Sequence, residues 1–422
     1  MFFLYNLLVT FTGFCIKILA VFNPKIGQFV VGRKNVFDTL ATRIDATDKT
    51  IWFHAASLGE YEQGLPLMEK MKSLYPNHKL VLTFFSPSGY EVRKNNTVAD
   101  VTVYLPLDTK SNAEKFIDLA HPEMVFFIKY EYWPNYLKTL KSQSIATYLI
   151  SGVFRKDQSF FKWYGGFYRK ALDAFEHFFV QNSNSKDLLL QLGKSNVSVS
   201  GDTRFDRVAA ILGKDNQLDF ISEFKNKQLT IVVGSSWPKD EKILVNYINS
   251  STQQVKFIIA PHNIKSDQIQ ELQKSITKKT VLFSDKEGKN LSEFDVFIID
   301  TIGILTKIYS EADIAYVGGG FGNPGVHNLL EPATFGVPIV LGPNYSHFAE
   351  ATALVNLGGC DVILNENDLK EIFDNLIQNT DVRREKGHIC STFVKMNTGA
   401  LDIILNYISN RSLKKKVTVI IN

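Results

Sequence analysis

Cysteine is scarce in this chain of 422 residues: Cys15, Cys360 and Cys390 stand far apart, with no CxxC pair and no Cys/His cluster. Such spacing offers neither a disulfide framework nor a zinc site, so the bulk of the chain reads as cytoplasmic. An excess of one charge is scarce too. Lys and Arg number 47 against 43 Asp and Glu, far from the basic stripe that nucleic acid demands, and no nucleic-acid partner is expected. The small positive excess still suits anionic lipid or an acidic substrate. No G-x-x-x-x-G-K-[ST] loop occurs and no GxGxxG follows the first strand, which excludes the common phosphate and dinucleotide fingerprints. No D-x-D stands at a strand end in a metal-binding setting, so no metal and no other cofactor is expected.

One long apolar run opens the chain, MFFLYNLLVTFTGFCIKILAVF, interrupted by Asn6 and Lys17. A spanning helix needs about 20 apolar residues, so this run is at the limit. It reads in three ways: a cleaved signal peptide, the buried first helix of a soluble domain, or a membrane anchor that spans or lies in the interface. No basic residue precedes it and no A-x-A follows, against the first. Lys17, Lys25, Arg33 and Lys34 trail it, favouring a cytoplasmic flank and anionic headgroups. An anchor helix over 1–22 is the expectation.

Beyond the apolar run the sequence takes on an α/β pattern. The runs IWFHAAS, KLVLTFFS, VTVYLPLD, EMVFFIKYE, SIATYLISG and HFFVQN alternate with amphipathic stretches, as in a parallel sheet covered on both faces. The series restarts with LTIVVGSSW, VKFIIAPHN, KTVLFSD, VFIIDT, IAYVGGG and VPIVLGP. A length of 422 residues suits two cores. The spacing therefore predicts two doubly wound domains, over 23–210 and 227–422, joined by a polar linker at 211–226. The tail NRSLKKKVTVIIN reads as the solvated end of a final helix.

Ligands of open α/β sheets bind beyond the carboxyl ends of the strands, and several chemically capable residues fall there. Glu60 follows HAASLG at the start of a helix. It can cap that helix through the dipole, or take a proton from an attacking hydroxyl. Glu131 ends the strand EMVFFIKYE among aromatics, before Trp133-Pro134; it can pair with a basic neighbour or face a cleft. Arg204 in SGDTRFDR offers a planar donor fork to carboxylate or phosphate, although a lone Arg is also an ordinary surface residue. Gly234, Ser235 and Ser236 form a strand-to-helix turn whose N–H groups suit an anion. Pro261 and His262 end the next strand. The stretch YVGGGFGNPGVHNLLEPATFGVPIVLGP combines glycines that admit a ligand close to the backbone with a helix expected from near Asn328. Glu331, one turn inside, can accept two ribose hydroxyls.

Taken together, HAASLGE at 54–60, EYWPN at 131–135, GDTRFD at 201–206, GSSW at 234–237 and HNLLEPA at 327–333 resemble the Kdo transferases. These enzymes attach 3-deoxy-D-manno-octulosonic acid (Kdo) to the lipid A precursor. The resemblance runs nearly the length of the chain, and it is carried by the order and spacing of the motifs together. It implies a GT-B fold, a CMP-Kdo donor bound mainly by the second domain, and an acceptor entering over the first beside the inner membrane, on its cytoplasmic face. It implies Glu60 as general base, with Glu131 and Arg204 stabilising the transition state in an inverting transfer. It assigns Pro261, His262, Ile302, Gly303, Ile304, Asn328, Leu329, Leu330 and Glu331 to CMP, beside Gly234, Ser235 and Ser236. Three positions depart from the family pattern. Pro261-His262-Asn263 stands for P-R-H, Ile302-Gly303-Ile304 for M-G-E, and Gly325-Val326-His327-Asn328 for G-G-H-N.

Two other classes fit the same scaffold. A nucleotide-sugar epimerase or hydrolase has no need of the apolar N-terminus. A non-catalytic lipid- or sugar-binding membrane protein has no need of two strand-end carboxylates.

Overall fold

The structure, a computed structural model, describes residues 1–323 and 325–421, with side chains as far as Arg411. The chain divides into two compact units. The first takes residues 1–206 together with the stretch from Thr398 onward; the second takes Arg207–Asn397.

The first unit is built on β1 (Lys49–Ala55), β2 (His78–Phe84), β3 (Val101–Tyr104), β4 (Pro122–Ile128), β5 (Ala146–Gly152), β6 (His177–Val180) and β7 (Val197–Val199). They pair in parallel in the order β3-β2-β1-β4-β5-β6-β7. The run TIWFHA of β1 is buried along its whole length, as a strand covered on both faces must be. The strand order reverses between β1 and β4, which places the binding crevice at their carboxyl ends.

The second unit repeats the plan with β8 (Thr230–Ser236), β9 (Lys256–Pro261), β10 (Thr280–Leu282), β11 (Val296–Ile298), β12 (Ile314–Val317), β13 (Ile339–Leu341) and β14 (Cys360–Val362). The order is β10-β11-β9-β8-β12-β13-β14, with its switch between β8 and β12. Each sheet thus has one strand more than the sequence pattern predicts. The additions, VSV and CDV, are three-residue edge strands too short to show periodicity. Two doubly wound units are what the expected GT-B fold class requires.

The first four helices of the first unit are α1 (Phe2–Leu19), α2 (Pro24–Val31), α3 (Val36–Arg43) and α4 (Leu58–Leu74). By length and composition α1 could cross a membrane. Its Tyr5 Oη donates to buried Asp108 at 2.7 Å, and Asn6 Oδ1 accepts from Asn135 Nδ2 at 3.0 Å. Gly13 meets Leu107 so closely that a Cβ would stand 2.8 Å from it. The opposite face, with Phe3, Leu7, Phe11 and Phe14, is exposed.

The stretch expected as a linker, 211–226, carries a helix at Asp219–Lys225. The last helix, Ala400–Ile421, belongs to the first unit and does not extend the second. Ile404 and Ile408 are buried in the first unit's core beside Phe179 and Tyr148, and the Tyr407 ring lies 4.1 Å from that of His177. The solvation expected of the tail concerns side chains that lie outside the described residues.

Candidate active site

Glu60 stands in the first turn of α4, just past the end of β1, and is 8% exposed. Its Oε2 accepts from the N–H groups of Ala56 and Ser57. One oxygen therefore caps the turn, while no described protein group bonds the other, Oε1. Burial, then the nearby charge of Glu131, pushes its pKa up to about 7. A carboxyl poised at neutral pH, with one free oxygen at a topological switch point, has what a general base requires.

Glu131 is equally buried, at 8%, and is held from one side. Its Oε2 accepts from Trp133 Nε1 at 2.7 Å and lies 2.9 Å from His54 Nε2. His54, within β1, is itself fully buried. Thr83 Oγ1 on the neighbouring strand accepts from Trp52 Nε1 and sits 2.8 Å from His54 Nδ1, nearer than the Phe53 carbonyl at 3.4 Å. The single Thr83 proton then goes to Nδ1, which assigns the histidine proton to Nε2, facing the carboxylate. Trp52, Thr83, His54 and Glu131 form one chain of hydrogen bonds from the core to the crevice. Lys129, two residues before Glu131, adopts φ 65°, a left-handed backbone uncommon outside glycine and frequent at functional turns. A cavity of about 480 Å³ opens at Glu131, lined by Tyr5, Tyr130, Trp133, Phe160 and Tyr168 among others.

Arg204 lies in the same unit. Its Nε and Nη2 both reach Asp202 Oδ2, at 2.9 and 2.8 Å. Asp202 also accepts from Gln63 Nε2 at 3.2 Å, and Thr203 Oγ1 donates to the Gln63 carbonyl. Gln63 is one turn beyond Glu60 on α4, so the arginine loop is tied to the helix that carries the candidate base.

In the second unit, Gly234, Ser235 and Ser236 end β8 at a register shift against β9. Ser235 takes φ 53°. A Cβ at Gly234 would fall on Tyr309 Oη, so only glycine fits. Ser236 is buried and its hydroxyl is committed to Glu241 Oε1 at 2.9 Å, which leaves Ser235 as the accessible hydroxyl. His262 stacks on Trp237 with ring centroids 4.5 Å apart, and on His327, also at 4.5 Å. Trp237 Nε1 donates to His327 Nε2 at 2.8 Å. Burial lowers the pKa of both histidines, that of His327 to about 4, so the three rings form an uncharged platform at pH 7. Asp240 ties this platform to the glycine loop, accepting from Trp237 N, Gly319 N and Tyr316 Oη, each at 2.9 Å.

Glu331 accepts from Thr306 Oγ1 at 2.7 Å and from Asn328 Nδ2 at 2.9 Å. Thr306 stands two residues past the loop Ile302-Gly303-Ile304, whose Gly303 has φ 97°. The Ile302 side chain is 80% exposed. These predicted residues therefore meet. The helix expected from near Asn328 runs from Leu330 to Thr334, and Asn328 Oδ1 accepts from Leu330 N just before it. One expectation changes. Leu329 and Leu330 point into the core, so neither side chain can touch a ligand. Sequence reasoning gives no part to His54, Trp133, Trp237 or His327, although its motifs contain them, and it passes over Asp240 and Thr306. The apolar neighbours that make His54 look like core are the signal that its two nitrogens need buried partners. Among the described residues no group of three or more His, Cys, Asp or Glu side chains could hold a metal.

The family model described as 3-deoxy-D-manno-octulosonic-acid transferase (kdotransferase) matches residues 33–207. A 3-deoxy-D-manno-octulosonic acid transferase of Chlamydophila psittaci is 28% identical over 81% of this chain and 80% of its own length. That of Aquifex aeolicus is 29% identical over 70% of this chain and 76% of its own. Among solved structures, UDP-GlcNAc 2-epimerase from Neisseria meningitidis superposes with a TM-score of 0.59 at 14% identity, over 86% of this chain and all of that one. Identity that low speaks to the fold alone.

Proposed function

We propose that this chain, which matches the Kdo transferase family model over residues 33–207 and is similar to Kdo transferases along most of its length, transfers Kdo from CMP-Kdo to the lipid A precursor with inversion at the anomeric carbon. The observation that carries the proposal is Glu60: buried, with its pKa raised to about 7 and one oxygen unbonded. Glu60 takes the proton of the acceptor's sugar hydroxyl as that oxygen attacks. A carbon–oxygen bond forms at the anomeric carbon, the bond to the phosphate of CMP breaks, and CMP departs with the bonding pair. Attack from the face opposite CMP inverts the centre, by the logic of inverting glycosidases.

Positive charge grows on the sugar ring as the bond breaks. Glu131, kept in place by His54 and Trp133, supplies the opposing negative charge. Arg204 offers its guanidinium to the charge on the departing phosphate. The aromatic cavity beside Glu131 takes the acceptor sugar, in keeping with sites that are mostly apolar with a few placed polar groups. CMP rests against the platform of Trp237, His262 and His327 and the Glu331 loop, with His262 offering no fixed cation. Leu329 and Leu330 serve through backbone alone. The helix α1, with its exposed apolar face, keeps the enzyme on the cytoplasmic side of the inner membrane, where a lipid acceptor is found.

The test is direct. Protein in detergent is incubated with CMP-Kdo and tetra-acylated lipid A precursor, and the lipid is weighed by mass spectrometry. A gain of one or more Kdo units is expected and counts them. Release of CMP and free Kdo with no gain on the lipid would overturn the acceptor and favour a hydrolase.

A further inference from the structure

Between α1, α2 and α3 the first unit holds a second cavity, of about 580 Å³. Its walls are largely apolar, with Ile16, Phe29, Val30, Phe37 and Leu107. The charged groups on it are three cations, Lys17, Arg33 and Lys34, and no carboxylate lines it.

Arg33 is not the surface flank that its place in the sequence suggests. Its Nε donates to Leu105 O at 2.8 Å, Nη1 to Phe29 O at 3.0 Å and Nη2 to Phe85 O at 2.6 Å. The guanidinium lies 3.5 Å from the centre of the Phe29 ring. Carbonyl oxygens satisfy its N–H groups without cancelling its charge. Burial lowers its pKa only to about 10, so it remains a cation at pH 7. Lys72, Lys79 and Lys386 elsewhere each hold an aspartate. Lys17 and Lys34 have no such partner among the described residues. A last-turn lysine complements a helix dipole, which accounts for Lys17 alone and leaves the half-buried arginine unexplained. Uncompensated charge beside apolar walls is costly, and an anion with an apolar body relieves it.

The surroundings agree. The cavity adjoins α1, whose uncovered face of Phe3, Leu7, Phe11 and Phe14 suits the acyl boundary of a bilayer with lysines beside it. Phe29 also packs on Phe85 at 5.3 Å, and Phe85 on Trp133 at 4.7 Å. Two ring contacts thus separate this cavity from the side chain that holds Glu131.

We propose that this cavity binds a phosphorylated lipid, with an acyl chain against Phe29, Val30 and Leu107 and the phosphate between Lys17 and Lys34, backed by Arg33. Two lipids share that chemistry, an acidic phospholipid of the bilayer and the phosphorylated acceptor itself.

The full-length protein in detergent is titrated by native mass spectrometry with phosphatidylglycerol, tetra-acylated lipid A precursor, phosphatidylcholine and inorganic phosphate. Both anionic lipids should bind at least tenfold more tightly than phosphatidylcholine, and inorganic phosphate should not compete. Lys17→Glu with Lys34→Glu should weaken the anionic lipids about tenfold or more, as two lost lysine contacts imply. Val30→Trp, which fills the cavity and keeps every charge, should do the same, while CMP binding stays as in the wild type and reports intact folding. A tenfold preference for the lipid A precursor marks the acceptor as occupant, and parity marks a bilayer lipid; both support the site. Phosphatidylcholine bound as tightly as phosphatidylglycerol, or both variants binding like the wild type, overturns it. The site does not rest on the Kdo chemistry: a chain that binds phosphatidylglycerol here and transfers no Kdo would overturn the reaction and leave the cavity standing.

Discussion

The two units share a doubly wound sheet with a crevice at the switch point, and they equip it differently. The first places charged side chains there. Glu60 and Glu131 are each 8% exposed, one shifted to about 7 and the other braced by His54 and Trp133. The second places backbone and neutral rings there: a glycine loop fixed by Asp240, and a Trp237–His262–His327 stack with both histidines held below their usual pKa. On the proposed reading, one fold serves two tasks. Moving a proton needs a group whose charge can change near pH 7. Holding a nucleotide needs close approach and a shape that does not change with pH.

That contrast is sharpened first at Glu60. Glu60→Gln should lower kcat by about 10²–10⁴-fold, the usual worth of a general base, and leave CMP affinity within about twofold by calorimetry; equal losses in both would erase the division of labour. Next is Trp133→Phe, which removes one hydrogen bond to a carboxylate and little volume. Such bonds contribute about 1.5–3 kcal/mol, so kcat should fall about tenfold or more with CMP binding unchanged. In the second unit the analogous break is in backbone. Gly319 has φ 94°, and a Cβ there would fall on the Gly325 carbonyl. Gly319→Ala should destabilise that unit by about 1–3 kcal/mol and weaken CMP binding, as read by denaturant titration with and without CMP.

The smallest effect concerns pH. In the wild type kcat/KM should rise with pH through about 7 as Glu60 loses its proton. Stability should move the other way. A carboxyl whose pKa is raised from 4.5 to about 7 by burial holds its proton more tightly folded than unfolded, so its contribution is full below pH 4.5 and is lost as pH climbs through 7. Glu60→Gln escapes that loss. Its melting temperature relative to wild type should therefore be higher at pH 8 than at pH 5, and a constant difference would place Glu60 in water.

Most of the scaffold was legible, because buried parallel strands announce themselves as apolar runs such as IWFHA and KFIIA. The edge strands VSV and CDV were not, being too short to carry a period. Carboxylates at strand ends stand out for the same reason that runs do: Glu131 interrupts apolar sequence where packing has no use for it. In the second unit the contacts among the expected residues were less legible than the strands. Leu329 and Leu330 sit inside the motif that the resemblance assigns to CMP, yet both are buried in the core. The ring stack joins residues 237, 262 and 327, and no local spacing foretells that. Nor does sequence foretell that Arg33, in a polar GRKN stretch, turns inward onto Phe29.

The helix Ala400–Ile421 returns to the first unit, which makes the second unit an insertion into the first. During synthesis the residues of 207–397 are complete before Ile404 and Ile408 have been made. The inserted unit can finish folding while its host still lacks part of the layer over β5 and β6. The host's core closes only after the last turns leave the ribosome, so the half of the enzyme that begins first is the half completed last.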